Sequence, residues 1–353
     1  MKRGRLGWGI IGCGVIGYWH DLAVRKNADR AQVVAYCDMD QRRAEEFNSR
    51  YAGGRAKVYT DFRRLVRDPQ VDVVSVCTPS GLHLDPVLAA AEAGKHILCE
   101  KPIEIKLDRI DRMIESAEAH RVKLAVVFQR RTYESARKVK TALDQGLLGR
   151  MILGDARMKY FRSQDYYDSG AWRGTWALDG GGALMNQGIH GIDLLLWFMG
   201  DVRSVLARTR TLSRNIETED TAAALLEYTS GALGVIEGAT AANPGEPTRL
   251  ELHGVRGTIV YEETRIVKWA VGGDENALAQ QVPLSREEAC AGGGQLNEEE
   301  MAALGHIRHV ADLIDAIHED RAPLVTGREA RRSVELILAV YESSRTGREV
   351  VLR

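Results

Sequence analysis

The run Gly12-Cys13-Gly14-Val15-Ile16-Gly17 stands between an apolar stretch, Leu6 to Gly12, and a stretch with apolar residues at helical spacing, Val15 to Lys26. A G-x-G-x-x-G pattern is informative in that strand-then-helix context. Gly12 permits the tight turn, Gly14 lets the backbone approach a pyrophosphate, and Gly17 lets the helix pack on the sheet. The helix N-terminus, opening at Val15 and Ile16, adds N–H groups and the positive end of its dipole. The second apolar run, Val33 to Asp38, ends on a carboxylate about twenty residues beyond the last glycine, where it accepts hydrogen bonds from an adenosine ribose and repels a 2'-phosphate. NAD is therefore expected over NADP, with Arg42 and Arg43 the nearby residues that would serve a phosphate.

The rest of the first third keeps that rhythm. Apolar runs at Val71 to Thr78, Lys95 to Glu100 and Lys123 to Phe128 alternate with helical stretches at Gln41 to Tyr51, Asp61 to Arg67, Leu82 to Ala93 and Leu107 to His120. Strands nearly continuous in Val, Ile, Leu, Ala or Cys are buried on both faces, which predicts a parallel, doubly wound α/β sheet over residues 1–128. Beyond Gln129 the strands lengthen and alternate: Met151 to Arg162, Val202 to Leu212, Thr221 to Tyr228, Ala232 to Ala241, Arg249 to His253 and Thr258 to Tyr261. That pattern predicts an α+β domain over 129–353 with an open, mainly antiparallel sheet. Helices are expected at Glu134 to Gln145, Ala183 to Met199, Ala303 to Glu319 and Gly327 to Thr346, and a surface loop or flap over 271–300. At 353 residues two domains are the natural outcome.

A formal net charge of -1 argues against nucleic acid or an anionic membrane as partner. No stretch is long and apolar enough to span a bilayer, and Met1 to Arg5 run almost directly into a strand, unlike a signal peptide. Cys13, Cys37, Cys77, Cys99 and Cys290 match neither a disulfide framework nor a zinc site, and read as reduced thiols of a cytoplasmic protein. His306 and His309 share a helix face, but without a third ligand nearby they read as surface or interface histidines, so no metal is expected.

Two further segments carry chemistry. Cys99-Glu100-Lys101-Pro102 closes the fourth long strand at the carboxyl-terminal edge, where ligands of doubly wound sheets sit, and Thr78-Pro79-Ser80 does so for the third. A lysine there can hold a substrate hydroxyl and stabilise charge as its proton leaves. In Asp179-Gly180-Gly181-Gly182 and the helix that follows, Asn186, His190 and Asp193 recur at i, i+4 and i+7 on one face of an otherwise apolar helix. The candidate cofactor residues are Gly12, Gly14, Val15, Ile16, Gly17, Asp38, Thr78, Pro79, His83, Glu100, Lys101 and Gln129. Lys101, Arg130, Arg162, Trp172, Asn186 and His190 are the candidate substrate residues, since Arg, Tyr and Trp between Arg162 and Trp176 suit hydroxyl recognition and ring stacking. Core packing is the equal alternative for Trp172 and Trp176.

These motifs, with Pro323-Leu324-Val325-Thr326-Gly327 and the helix carrying Tyr341, resemble over essentially the whole length the glucose-fructose oxidoreductase, inositol dehydrogenase and rhizopine-catabolism (Gfo/Idh/MocA) family. The resemblance implies a Rossmann domain, an open-sheet domain that often mediates oligomerisation into a homodimer or homotetramer, and hydride transfer to or from a sugar or related polyol. It matches Lys101 to the family's catalytic lysine and His190 to its acid/base histidine. Asn186 departs: inositol dehydrogenase-like members carry aspartate four residues before the histidine, and the asparagine is similar to that of nucleotide-sugar 3-dehydrogenases. An amide orients a hydroxyl but takes no proton, so His190 is expected to be the base, with Lys101 the fallback. An NAD-dependent glycosidase that oxidises transiently and a non-catalytic regulator that binds nucleotide and sugar are the alternatives.

Overall fold

A computed structural model describes residues 4–271 and 298–352. The chain forms two compact units, residues 1–129 with 296–331 and residues 130–295 with 332–353.

In the first unit β1 (Leu6–Ile11), β2 (Ala31–Cys37), β3 (Lys57–Tyr59), β4 (Val73–Val76), β5 (His96–Cys99) and β6 (Leu124–Val126) form a sheet in the order β3-β2-β1-β4-β5-β6. Every pairing is parallel. The order reverses between β1 and β4, which opens the crevice at the strands' carboxyl ends where doubly wound folds bind ligands. Helices α1 (Val15–Lys26), α2 (Gln41–Ala52), α3 (Phe62–Leu65), α4 (Leu84–Glu92) and α5 (Leu107–Ala119) complete the crossovers, with a short 3-10 turn at Ser80–Leu82 leading into α4. Edge strand β3 escapes sequence patterning because it has three residues, none of them buried.

The second unit holds α6 (Glu134–Asp144), α7 (Gln164–Asp168), α8 (Ile189–Met199) and eight strands: β7 (Met151–Lys159), β8 (Val202–Arg210), β9 (Thr221–Tyr228), β10 (Leu233–Ala239), β11 (Arg249–Gly254), β12 (Gly257–Glu262), β13 (Arg265–Val271) and β14 (Val350–Val351). Their order is β13-β12-β11-β7-β10-β9-β8-β14, antiparallel except for β7 and β10. Alternation along β9 buries Ala222, Ala224, Leu226 and Tyr228 and leaves Ala223 and Leu225 outside. Helix α8 lies on β7 and β11, and a Cβ at Gly191 would stand 2.5 Å from the Met158 sulfur, so the helix needs a glycine where it crosses. On the outer face, Leu206 pairs with Leu225 and Leu225 with Val235, an apolar row across three strands. Strands β13 and β14 were missed, the first because it runs into the glycine-rich stretch and the second because it is two residues long.

Two helices close the chain, α9 (Glu298–His318) and α10 (Gly327–Thr346). A single boundary at 128/129 assigns α9 to the second domain, whereas it packs along α1 in the first unit. Val310, Leu313 and Ile314 join Trp8, Ile10, Ala23 and Val24 in one core, and Asn27 Nδ2 donates to the Ile307 carbonyl at 3.2 Å. Of the expected flap over 271–300, Val271 ends β13 and 298–300 begin α9; residues 272–297 lie outside the described residues. No described helix is long and apolar enough to cross a membrane.

Candidate active site

The glycine loop has the geometry a dinucleotide needs. Gly12 adopts φ +99°, and a Cβ there would stand 2.6 Å from the Cys77 carbonyl oxygen. A Cβ at Gly17 would meet the Gly12 carbonyl oxygen at 2.2 Å, while at Gly14 nothing lies within 4 Å. Gly12 and Gly17 are thus fixed by close packing, and Gly14 faces open space that leaves room for a pyrophosphate. Val15 is 74% exposed at the start of α1, an apolar side chain left free beside that space. Asp38 follows β2; its Oδ2 accepts the Cys13 N–H at 2.9 Å and its Oδ1 the Asp40 N–H at 3.0 Å. A carboxylate has about four acceptor sites, so Asp38 braces the loop with capacity left for a ribose, and Arg43 Nη1 stands 3.8 Å from it. These residues fit NAD. Replacing Gly17 by Ala is expected to cost ~1–3 kcal/mol of stability and at least about tenfold in NADH affinity, checked by denaturant unfolding and calorimetry.

Glu100 and Lys101 follow β5. The Glu100 carboxylate is buried: Oε1 accepts from His20 Nε2 and His306 Nε2, each at 3.0 Å, and Oε2 accepts the Lys101 N–H at 3.0 Å. Burial alone would raise this carboxyl, but the two imidazole hydrogen bonds outweigh it and hold it well below the usual range. His306 and His309 are therefore not surface residues: both are buried, and His309 Nε2 accepts the Phe128 N–H at 3.1 Å. His83 is buried too, and burial lowers its pKa, so its single N–H serves either the Thr78 carbonyl, 2.8 Å from Nε2, or the Pro102 carbonyl, 3.0 Å from Nδ1, beside the turns carrying Thr78, Pro79 and Lys101. Gln129 is half-buried against α9, where a Cβ at Gly305 would meet its own Cβ at 2.0 Å. The four described cysteines are free thiols, and burial pushes Cys13 and Cys37 up to about 12.

In the second unit, the expected helix from Ala183 begins as a π-helical turn, Ala183–Gly188, before α8. Such turns recur at functional sites. A Cβ at Gly181 would stand 2.1 Å from the Tyr341 hydroxyl and one at Gly182 2.1 Å from the Glu219 carbonyl oxygen, so the glycine run admits these two residues. Asn186 and His190 are half-buried, but Asp193 is buried in a bidentate pair with Arg131, 2.7 and 2.8 Å, and so leaves the polar stripe. Asn186 Nδ2 donates to Asp179 Oδ1 at 2.5 Å, and Asp179, 1% exposed, also accepts the Gly174 N–H at 2.8 Å. A carboxylate only accepts, which fixes the amide's orientation.

Buried Glu219 accepts from Gly182 N, Leu184 N and the Tyr341 hydroxyl at 2.8 to 3.0 Å. Burial outweighs these bonds and raises its carboxyl from the usual 4.5 to about 7. The folded state thus holds this proton more tightly than the unfolded chain. Stability from this group is full below pH 4.5 and falls as pH rises towards 7, by on the order of 3 kcal/mol. Glu219→Gln is expected to flatten that decline in thermal unfolding between pH 5 and 7.5; parallel curves for the two proteins would contradict it.

Arg162, Arg173 and Tyr166 form a cluster next to Gln187. The two guanidinium carbons lie 5.5 and 4.3 Å from the Tyr166 ring centre. Arg162 Nη2 donates to Gln187 Oε1 at 2.9 Å, while the Tyr166 hydroxyl accepts from Arg173 Nη1 at 2.6 Å and Gln187 Nε2 at 2.8 Å. Arg173 also lies over Trp172, which is half-buried, and Trp176 is 45% exposed, so neither tryptophan is a core residue. Arg130 does not join this cluster: its Nη2 pairs with Glu263 at 2.6 Å. Glu219 and His20 carry no signal in the sequence, whereas Tyr166 and Arg173 lie within the polar, aromatic run Arg162 to Trp176 and Asp179 stands just ahead of the three glycines.

A model of the oxidoreductase family with NAD-binding Rossmann fold matches residues 6–128, and one of the GFO/IDH/MocA C-terminal domain matches 136–260. Myo-inositol 2-dehydrogenase of Thermotoga maritima is 33% identical over 267 residues, 73% of this chain and 75% of the relative. D-apiose dehydrogenase of Paraburkholderia graminis is 28% identical over 350 residues, 98% and 89% of the two chains. The WlbA dehydrogenase of Bordetella pertussis, solved in complex with NADH and UDP-GlcNAcA, superposes with a TM-score of 0.86 at 30% identity, covering 99% of each chain. The chain belongs to the GFO/IDH/MocA family. It is an NAD-binding oxidoreductase, and the relatives it resembles include dehydrogenases of inositol and apiose.

Proposed function

We propose that the substrate is a sugar derivative bearing a negatively charged group, oxidised at a secondary alcohol, with Lys101, His190 and Asn186 at the reacting hydroxyl. The observation that carries this is the guanidinium cluster. Among the described residues Arg162, Arg173 and Arg214 hydrogen-bond only to neutral groups; Arg214 Nε donates to the Arg162 carbonyl at 2.7 Å. Among the described residues no carboxylate comes within ion-pair distance of any of the three, although Asp165 and Asp168 lie on the neighbouring α7. The Tyr166 hydroxyl, accepting twice, keeps its own proton to donate. Cations held in place without counter-charge favour a bidentate anion such as a carboxylate or phosphate. The relative WlbA binds a ligand of that kind, UDP-GlcNAcA.

NAD, when bound on the Gly12 to Gly17 loop against Asp38, supplies the hydride acceptor. Lys101 holds the hydroxyl oxygen and stabilises the negative charge that develops there. His190 accepts the hydroxyl proton. Asn186, fixed by Asp179, orients the oxygen without exchanging a proton. Thr78, Pro79 and Gln129 border the cofactor, and Trp172 stacks on a sugar ring. The apolar row Leu206, Leu225 and Val235 on the outer sheet face joins copies of the chain into a homodimer or homotetramer, a cytoplasmic assembly. The substrate test compares kcat/KM for UDP-GlcNAcA and UDP-GlcNAc, and for glucuronate and glucose. A preference of at least about tenfold for the carboxylate-bearing member of either pair is expected, abolished in Arg162→Gln/Arg173→Gln. Equal rates with and without the carboxylate in both pairs in the wild type would overturn the proposal.

A further inference from the structure

We infer that His20 and His306 are positioning residues for Lys101 and act through Glu100. The inference rests on the reading of Lys101 as the group at the reacting hydroxyl. Its basis is a proton inventory in the core of the first unit. Trp8 Nε1 can only donate, and it donates to Ser75 Oγ at 2.8 Å. The Ser75 hydroxyl proton is then free for His20 Nδ1, 2.7 Å away. That makes Nδ1 the acceptor and leaves the His20 proton on Nε2, directed at Glu100 Oε1 at 3.0 Å. His306 Nε2 meets the same oxygen at 3.0 Å and must likewise donate, because a carboxylate only accepts. His306 Nδ1 is buried and has no hydrogen-bond partner among the described residues, so this ring makes its bond through Nε2.

Three N–H groups from three places in the sequence thus converge on one buried carboxylate: His20 from α1, His306 from α9, and the Lys101 backbone itself on Oε2 at 3.0 Å. The backbone from which the Lys101 side chain departs is therefore set by how firmly the imidazoles hold Glu100. Misplacing a catalytic group by about 1 Å costs on the order of a hundredfold in rate. The same three side chains lie close enough to suggest a metal site. With both Nε2 hydrogens on the carboxylate, however, neither imidazole has a lone pair aimed at an ion.

His306→Leu removes the donor at similar volume, and His306→Gln restores an N–H. His306→Leu is expected to lose about thirtyfold in kcat, with KM and the NADH dissociation constant within about threefold of wild type, and His306→Gln to recover to within about fivefold. A purely structural role would not split kcat from KM in this way, nor be rescued by an amide. Glu100→Gln, which sets an amide N–H against the Lys101 N–H, is expected to show the same split and serves if His306→Leu does not fold. Unchanged kcat in the variant that folds, or failure of His306→Gln to rescue, would overturn the inference. So would one equivalent of zinc in elemental analysis of the purified protein. Lys101→Met separates the two levels: if that variant turns over, the reading of Lys101 fails, and if it is dead while His306→Leu runs at full rate, only this inference fails.

Discussion

Replacement of Lys101 by Met lowers kcat by about a hundred- to a thousandfold and leaves the NADH dissociation constant within about threefold. Met keeps the length and apolar stem of the side chain and removes only the ammonium. Glu100 still receives the backbone N–H of residue 101 and both imidazoles, since none of those bonds uses the lysine side chain. The cofactor loop is braced by Asp38 through Cys13 and does not depend on residue 101. What disappears is a positive charge placed where an alkoxide develops, a contribution worth ~3–4 kcal/mol in comparable sites. NADH formation followed by absorbance gives kcat, and calorimetry gives the affinity; wild-type turnover would remove Lys101 from the mechanism.

The second large effect concerns Asn186, the position at which the resemblance to inositol dehydrogenase-like members implies an aspartate. Asn186→Asp puts a carboxylate against Asp179, now 2.5 Å from the amide nitrogen and 1% exposed. Two carboxylates at that distance cannot both ionise cheaply, so the pair must hold a proton or repel. The new group's folded-state pKa is raised above its unfolded value, so the cost is absent at low pH and grows as pH rises past the ordinary carboxylate range. At pH 8 the variant should lose ~3 kcal/mol of stability and about a hundredfold in kcat/KM. Asn186→Asp/Asp179→Asn exchanges the partners and should restore stability to within ~1 kcal/mol. Denaturant unfolding at pH 5 and pH 8 decides this; a variant equally stable at both pH values would show that Asp179 does not dictate the amide.

The parts of the fold legible in the sequence are those with a strong local pattern. Strands β1, β4 and β5 are mostly apolar and almost wholly buried, and α1 and α10 have the bounds their periodicity predicts. Strand β3 and strand β14 are short, and half-exposed edges carry little pattern. The π-helical start at Ala183 is set by Glu219 and Tyr341, far away in the sequence, which periodicity does not see. The same holds for the site. Lys101 and His190 stand in recognisable motifs. His20, His306 and Asp179 gain their meaning only from partners 80, 206 and 7 residues distant. Arg130 and Arg162 looked alike as sequence; Glu263, 133 residues beyond Arg130, separates them.

The most direct test of the account is a single turnover with protein, NAD and UDP-GlcNAcA, followed at once by NADH absorbance and by mass spectrometry of the sugar. It predicts one equivalent of NADH per equivalent of a sugar product two mass units lighter, with neither formed by Lys101→Met. Release of UDP without NADH would point instead to transient oxidation in a glycosidase-like cycle, and oxidation of neutral sugars with the charged ones untouched would contradict the role given to Arg162 and Arg173.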